Sequence, residues 1–186
     1  MADTLNVLTI CGSLRKGSFN RMLMNASIGL APEGMTIKEA PSFASFPIYN
    51  FDDQQATGIP KVVDPLHDAI RAADGVLIVS AEYNWSIPGG LKNAIDWLSR
   101  YKDVAFKNKP CCIQSAAPGL LGGSRMQYHL RMSLTSIDAT LFGKPEVIVN
   151  LAASKFADGA LKDQGALDLI KQQLAAFGEF IKRVRD

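Results

Sequence analysis

The chain has 186 residues, 47% hydrophobic and 20% charged, which excludes intrinsic disorder and suits one domain over residues 1–186. Twenty Lys and Arg against 18 Asp and Glu leave a net charge of +2, so nothing argues for a dedicated nucleic-acid binder. No apolar run approaches the roughly 18 residues of a membrane span, and Met1-Ala2-Asp3-Thr4 lacks the features of a signal peptide, so the expected location is cytoplasmic.

Short apolar runs alternate with amphipathic segments. The runs are Leu5–Cys11, Met35–Ala40, Val76–Ser80, Cys111–Ala116 and Val147–Leu151. Val76-Leu77-Ile78-Val79 and Val147-Ile148-Val149 carry no polar alternation, as strands covered on both faces do. Between the runs lies helical spacing: Phe19, Met22, Leu23, Ala26 and Leu30; Val63, Leu66, Ile70 and Ala73; Leu91, Ile95 and Leu98; Met126, Leu130, Leu134 and Ile137. The last helix repeats Leu167, Ile170, Leu174, Phe177, Ile181 and Val184 at steps of three and four. About five strands alternating with helices predict an α/β fold, a doubly wound parallel sheet whose ligands bind beyond the carboxyl ends of the strands.

The loop Cys11-Gly12-Ser13-Leu14-Arg15-Lys16-Gly17-Ser18-Phe19-Asn20 leaves the first strand for the first helix. Helix-start N–H groups, Ser13, Ser18, Asn20 and the Arg15 guanidinium are suited to a phosphate. Walker A requires Lys-Ser/Thr after its second glycine, but Ser18-Phe19 follows Gly17. The dinucleotide fingerprint requires a glycine where Leu14 stands, although Glu39 could close the second strand. A Ser/Asn-rich loop without either signature suits one terminal phosphate, as on a flavin mononucleotide. The alternative is a plain turn with Ser18 capping a helix.

The loop after the third strand, Ala81-Glu82-Tyr83-Asn84-Trp85-Ser86-Ile87-Pro88-Gly89-Gly90, joins aromatics, an amide and an acid to a Pro-Gly-Gly turn. Such a loop can hold a planar ring, with Asn84 and neighbouring amides on its polar edge. Aromatics packed over the sheet edge beside a solvated Glu82 are the alternative. After the fourth strand, Gly119, Gly122 and Gly123 let the backbone approach a ligand closely, or serve only a flexible turn.

Gly12-Ser13-Leu14-Arg15 with Ser18 and Asn20, followed by Glu82-Tyr83-Asn84 and Ser86-Ile87-Pro88-Gly89, resembles the NAD(P)H-dependent FMN reductases, which include chromate, quinone and azo reductases. The resemblance covers essentially the whole chain. It implies a flavodoxin-like five-stranded sheet in the order 2-1-3-4-5 and non-covalent FMN, with NADPH or NADH as co-substrate. It further implies that Ser13, Arg15, Ser18, Asn20 and the backbone of Phe19 bind the phosphate. Glu82, Tyr83, Asn84 and Ser86 would meet the isoalloxazine, and Ser115, Pro118 and Gly119 the ribityl chain and flavin edge. Trp85 departs from the small, polar or tyrosine residues of that position and would face the open ring or a neighbouring subunit.

His67 and His129 lie far apart, without Cys or carboxylate neighbours at ligand spacing, so no metal site is expected. Cys11 and the adjacent Cys111 and Cys112 read as buried thiols, Asp52-Asp53 as a solvated loop pair, and Gly122-Gly123-Ser124 lacks the nucleophile-elbow pattern. On the fourth helix, Tyr128, Met132 and Thr135 fall opposite the apolar stripe with Arg125 beside them, the composition of a subunit interface. With the resemblance this gives a homodimer or homotetramer.

The expected function is FMN-dependent NAD(P)H:acceptor oxidoreduction. Quinones, azo dyes, ferric chelates or chromate would take the electrons after the nicotinamide has left, in ping-pong order. The alternatives are a flavodoxin-type electron carrier, against which the near-neutral charge argues, and a flavin-free module for another phosphorylated small molecule.

Overall fold

A computed structural model describes residues 4–185; Met1-Ala2-Asp3, which open the segment read for a signal peptide, lie outside the described residues, as does Asp186. Leu5–Cys11 (β1), Met35–Glu39 (β2), Gly75–Ser80 (β3) and Pro110–Ala116 (β4) run parallel in the order β2-β1-β3-β4. Thr9 lies opposite Leu77 and Ile78 opposite Ile113. All six residues of β3 are buried, as the absence of polar alternation demanded, and so are all seven of β4.

The fifth position is divided. Thr140–Leu141 (β5) pairs with Pro110 and Cys111 at the start of β4, and Val147–Val149 (β6) with Gln114, Ser115 and Ala116 at its end. The order 2-1-3-4-5 therefore holds, with two short strands in place of one. The run expected over Val147–Leu151 is corrected: Leu151 leaves the strand with φ 48°, and Ile148 is half-buried because β6 is an edge. In the gap, Gln173 Nε2 donates to the Ile113 carbonyl at 3.4 Å and to the Pro145 carbonyl at 2.8 Å.

Phe19–Gly29 (α1) and Gln164–Arg185 (α7) cover one face of the sheet, where Leu23, Met24, Ile170, Leu174, Phe177 and Ile181 meet Leu77, Val79 and Cys112. Asp64–Ala72 (α3), Gly89–Leu98 (α4) and Ser124–Thr135 (α5) cover the other, with Leu66, Ile70, Trp97 and Leu130 on Val76, Ile78 and Cys111. Neighbouring residues of β3 and β4 thus serve opposite cores, and each fully buried Leu, Ile or Val contributes about 1.5–3 kcal/mol. All three cysteines are free and buried.

Two regions depart from expectation. Asp52 and Asp53 sit in the first turn of a helix, Phe51–Thr57 (α2), capped by Asn50 Oδ1, which accepts from the Asp52 N–H at 3.0 Å. After β6, a short turn of helix (Ala152–Lys155, α6) leads to a hairpin, Phe156–Ala157 (β7) with Ala160–Leu161 (β8), packed against α1 with the Phe156 and Phe19 rings 5.2 Å apart. Strand order reverses between β1 and β3, so the β1–α1 and β3–α4 loops flank the crevice where such sheets bind ligands.

Candidate functional site

The first loop departs tightly against β3. A Cβ on Gly12 would stand 2.2 Å from Ser80 Oγ, so only glycine fits there. Beyond it Ser13 is buried, its Oγ 3.4 Å from the Tyr83 hydroxyl on the second loop. Arg15 donates a hydrogen bond to the Gly17 carbonyl, which folds the loop back on itself. Ser18 caps α1 by accepting from the Asn20 N–H at 3.2 Å. No acidic residue occupies the first turn, so the positive end of the helix dipole is not neutralised from within α1. Asn20, 3% exposed, turns inward: Nδ2 donates to the Ala116 carbonyl at 2.9 Å and Oδ1 accepts from the Ala116 N–H at 2.8 Å.

The second loop is a tight reversal. Tyr83 and Ser86 exchange N–H···O hydrogen bonds at 3.0 Å in both directions, with Asn84 at φ 48° and Trp85 at φ 66°. Positive φ at both central residues marks a type I′ turn, normally built from Gly, Asn or Asp. A tryptophan there is a backbone outlier, and such outliers gather at ligand sites. Trp85 is 65% exposed, with the Arg125 guanidinium 4.1 Å from its ring centroid. Glu82 is half-buried, and its Oε2 accepts from the Met126 N–H at 3.0 Å. It supplies the cap that Gly123 lacks and satisfies the start of α5.

The third loop is braced from below. Ser115 is fully buried; its Oγ donates to the Gly122 carbonyl at 2.7 Å and accepts from Gln127 Nε2 at 2.9 Å. Gly123, at φ 93°, packs so closely that a Cβ would lie 2.8 Å from that of Ser115.

These loops enclose two abutting clefts. One, about 240 Å³, is lined by Ser13, Arg15, Ser18, Phe19, Asn20, Tyr83 and small residues of β4's end. The other, about 420 Å³, is lined by Asn84, Trp85, Gly119, Leu120, Leu121 and Arg125. Glu82, Ala117 and Pro118 belong to both. The structure thus gathers Ser13, Arg15, Ser18, Phe19, Asn20, Glu82, Tyr83, Asn84, Trp85, Pro118 and Gly119 around one continuous crevice. Ser115 lies beneath it, and Ser86 points away, its Oγ 2.9 Å from His129 Nδ1.

Leu120, Leu121 and Arg125 are lining residues that sequence reasoning did not assign to the cleft. Two leucines inside a glycine-rich loop were the available signal, since such a loop has no core to fill. His67 is a core residue: its ring stacks on Tyr101 at 3.8 Å and Nε2 meets the Asp103 carbonyl at 2.9 Å.

The donor set fits FMN. Two serine hydroxyls, a guanidinium and the start of a helix converge on the smaller cleft, as a phosphate monoester requires. The larger has an apolar wall of Leu120, Leu121 and Pro118 facing a strained aromatic turn, as a tricyclic ring requires. Ser13, Arg15 and Ser18 would hold the phosphate and the 83–86 turn the ring.

The family profile described as NADPH-dependent FMN reductase matches residues 5–154. The quinone reductase of Escherichia coli (strain K12) is 49% identical over 187 residues, spanning 100% of both chains. An NAD(P)H-dependent FMN reductase of Pseudomonas aeruginosa is 44% identical over 186 residues, again 100% of both. In structure, the chain is similar to the flavoenzyme NAD(P)H:(acceptor) oxidoreductase of Paracoccus denitrificans, with a TM-score of 0.84 and 32% identity, covering 96% of this chain and 98% of that one. Crevice, whole-length relatives and fold agree, and the chain belongs to the NADPH-dependent FMN reductases, oxidoreductases that act through FMN with NAD(P)H as co-substrate.

Proposed function

We propose that this protein reduces quinones with electrons from NAD(P)H, residues 1–186 serving as one FMN-binding domain. The observation that carries this reading is the apolar rim of the larger cleft: Trp85, Leu120 and Leu121 are 65%, 76% and 46% exposed, beside a guanidinium held over the Trp85 ring. A planar apolar acceptor covers that rim and gains from its burial, whereas a hydrated oxyanion such as chromate gains only from the charge. Planar quinones and azo dyes therefore rank above ferric chelates and chromate, and the full-length likeness to a quinone reductase supports quinones among them.

Bound FMN supplies the two-electron exchange between nicotinamide and acceptor. The chain contributes binding and orientation. Ser13, Arg15, Ser18 and the Phe19 N–H take the phosphate, while Asn20 and Ser115 hold the backbone that shapes the crevice. Tyr83, Asn84 and Trp85 meet the ring. Glu82 accepts from the Met126 N–H at the start of α5, Ser86 closes the turn, and Pro118 and Gly119 line the ribityl side. Nicotinamide and acceptor use the same rim in turn, which gives ping-pong kinetics.

The test is anaerobic addition of NADPH to the yellow protein, then steady-state turnover with menadione. Prompt bleaching and parallel double-reciprocal lines support the reading. Intersecting lines overturn the alternating order, and a flavin that stays oxidised with both NADPH and NADH overturns the function.

Self-association is part of the proposal. Tyr128 and Met132 are 66% and 64% exposed on α5, away from its buried Met126, Leu130 and Leu134; Arg125, of the same expected surface, is engaged by Trp85. Sedimentation of wild type against Tyr128→Glu/Met132→Glu tests it, and an unchanged molecular mass overturns this face as the interface. A cytoplasmic location accords with three free thiols; no helix among the described residues is long and apolar enough to cross a membrane.

A further inference from the structure

The turn at residues 83–86 has a conformation that one of its two central residues does not favour. Asn84 and Trp85 both sit at positive φ; asparagine accepts that setting, a tryptophan does not. Its two closing hydrogen bonds, Tyr83 N–H to Ser86 O and Ser86 N–H to Tyr83 O, belong to a segment in which Tyr83, Asn84 and Trp85 are exposed and Ser86 is half-buried. Something outside the turn must hold it.

That support comes from the first two turns of α5. Glu82, just before the turn, accepts from the Met126 N–H at 3.0 Å. The Trp85 ring at its tip lies under the Arg125 guanidinium at 4.1 Å. Ser86 at its end has Oγ 2.9 Å from His129 Nδ1. Arg125 and His129 are four residues apart, one above the other on a single helix face. Three successive points of the loop are thus pinned to one rigid element. The base of α5 is itself fixed, because Gln127 Nε2 donates to Ser115 Oγ and to the Val147 carbonyl, both at 2.9 Å.

We propose that α5 is the positioning element of the flavin-facing turn and that His129, through Ser86, is a positioning residue for hydride exchange although it does not line the crevice. This rests on the reading that Asn84 and Trp85 meet the flavin ring. His129 holds the end of the turn while lining neither cleft. Without it Ser86 is released, the reversal relaxes from its left-handed conformation, and Asn84 and Trp85 lose their setting against the ring. A misplacement of about 1 Å at a reacting centre can cost roughly a hundredfold in rate.

The experiment compares wild type with His129→Ala, His129→Asn and Ser86→Ala in two states. In the FMN-free protein, time-resolved fluorescence anisotropy isolates the turn: Trp97 is fully buried and follows overall tumbling, so the fast component belongs to Trp85. The fast amplitude should rise in His129→Ala and Ser86→Ala and return to the wild-type level in His129→Asn, whose amide can occupy the Nδ1 position. In the FMN-loaded protein, kcat with menadione should fall by about tenfold in the two alanine variants, with KM for NADPH little changed, and recover in the asparagine variant.

Wild-type anisotropy and turnover in His129→Ala overturn the proposal. A fall in kcat without a rise in Trp85 mobility also overturns it, because His129 would then act without the turn. Should the wild type fail to take up FMN, the functional reading falls, and the anisotropy of the FMN-free protein still decides whether α5 holds the turn.

Discussion

Asn20 and Ala116 close a two-bond ring, the side-chain amide of one matching both backbone groups of the other at 2.9 and 2.8 Å. It joins the start of α1, where the phosphate loop ends, to the end of β4, where the third loop begins. Two walls of the crevice are thereby set at one distance. Both polar atoms of the amide are engaged in doing so, and through the backbone they hold the amide shapes the crevice.

Asn20→Ala strands a buried N–H and C=O, at about 1–3 kcal/mol for each group left without a partner. FMN and riboflavin should therefore both bind more weakly, since the whole crevice loosens. Titration of the FMN-free variant with each flavin checks this. A loss confined to FMN would show that Asn20 is a direct phosphate ligand instead.

Arg15 gives the opposite pattern. Its guanidinium lies on the exposed loop and, among the described residues, bonds only the Gly17 carbonyl. Arg15→Ala should weaken FMN about tenfold or more, the usual worth of a charge-assisted hydrogen bond, and leave riboflavin affinity unchanged. The wild-type preference for FMN should also shrink with rising salt, and that of the variant less so.

Gly12→Ala places a methyl group 2.2 Å from Ser80 Oγ and 2.7 Å from its Cβ. β1 and β3 are hydrogen-bonded neighbours and cannot separate to make room. Overpacking of this kind costs about 1–3 kcal/mol, which for a chain of this size lowers the melting temperature by roughly 2–4 °C per kcal/mol. A thermal melt of the FMN-free protein measures it without reference to activity.

The pH dependence of stability follows from the thiols. Burial pushes Cys111 and Cys112 far above their ordinary value of 9.0, and Cys11 upward as well. In the folded state they stay protonated where the unfolded chain ionises, so their contribution is complete below pH 9 and lost as pH rises beyond it. Each thiol removes about 1.4 kcal/mol per pH unit in that window. Lys109, lowered by burial, opposes this with a single proton. Denaturant unfolding from pH 7 to 10.5 should show a plateau and then a decline above pH 9. The Cys111→Ala/Cys112→Ala variant should flatten the decline whatever its starting stability.

The strands and the larger helices were legible because continuous apolar runs and steps of three and four state burial directly. Val76–Val79 could be nothing but a central strand. β5 was not legible, because two residues, Thr140 and Leu141, carry no periodicity. Nor was α2: among its residues none is buried, so it writes no stripe, and its Asp52-Asp53 reads as loop. The loops bearing the site were visible from their Ser, Asn, Gly and aromatic content. Their internal commitments were not. Asn20 to Ala116 spans 96 positions and Ser86 to His129 43, and a polar side chain names its partner only once the chain has folded. The choice of a reductase over an electron carrier came from whole-chain likeness and the near-neutral charge, not from any one residue.

The divided fifth position has a consequence for the behaviour of the protein at high concentration. An unbroken outer strand would offer a row of free N–H and C=O groups to any extended peptide. Here two residues of β5 and three of β6 are separated by a gap, and within it Gln173 occupies the Ile113 carbonyl. A strand from a neighbouring molecule finds no register long enough to add to. A side chain from a helix on the sheet face has taken the place of a hydrogen-bond rung, and it guards that flank against polymerisation.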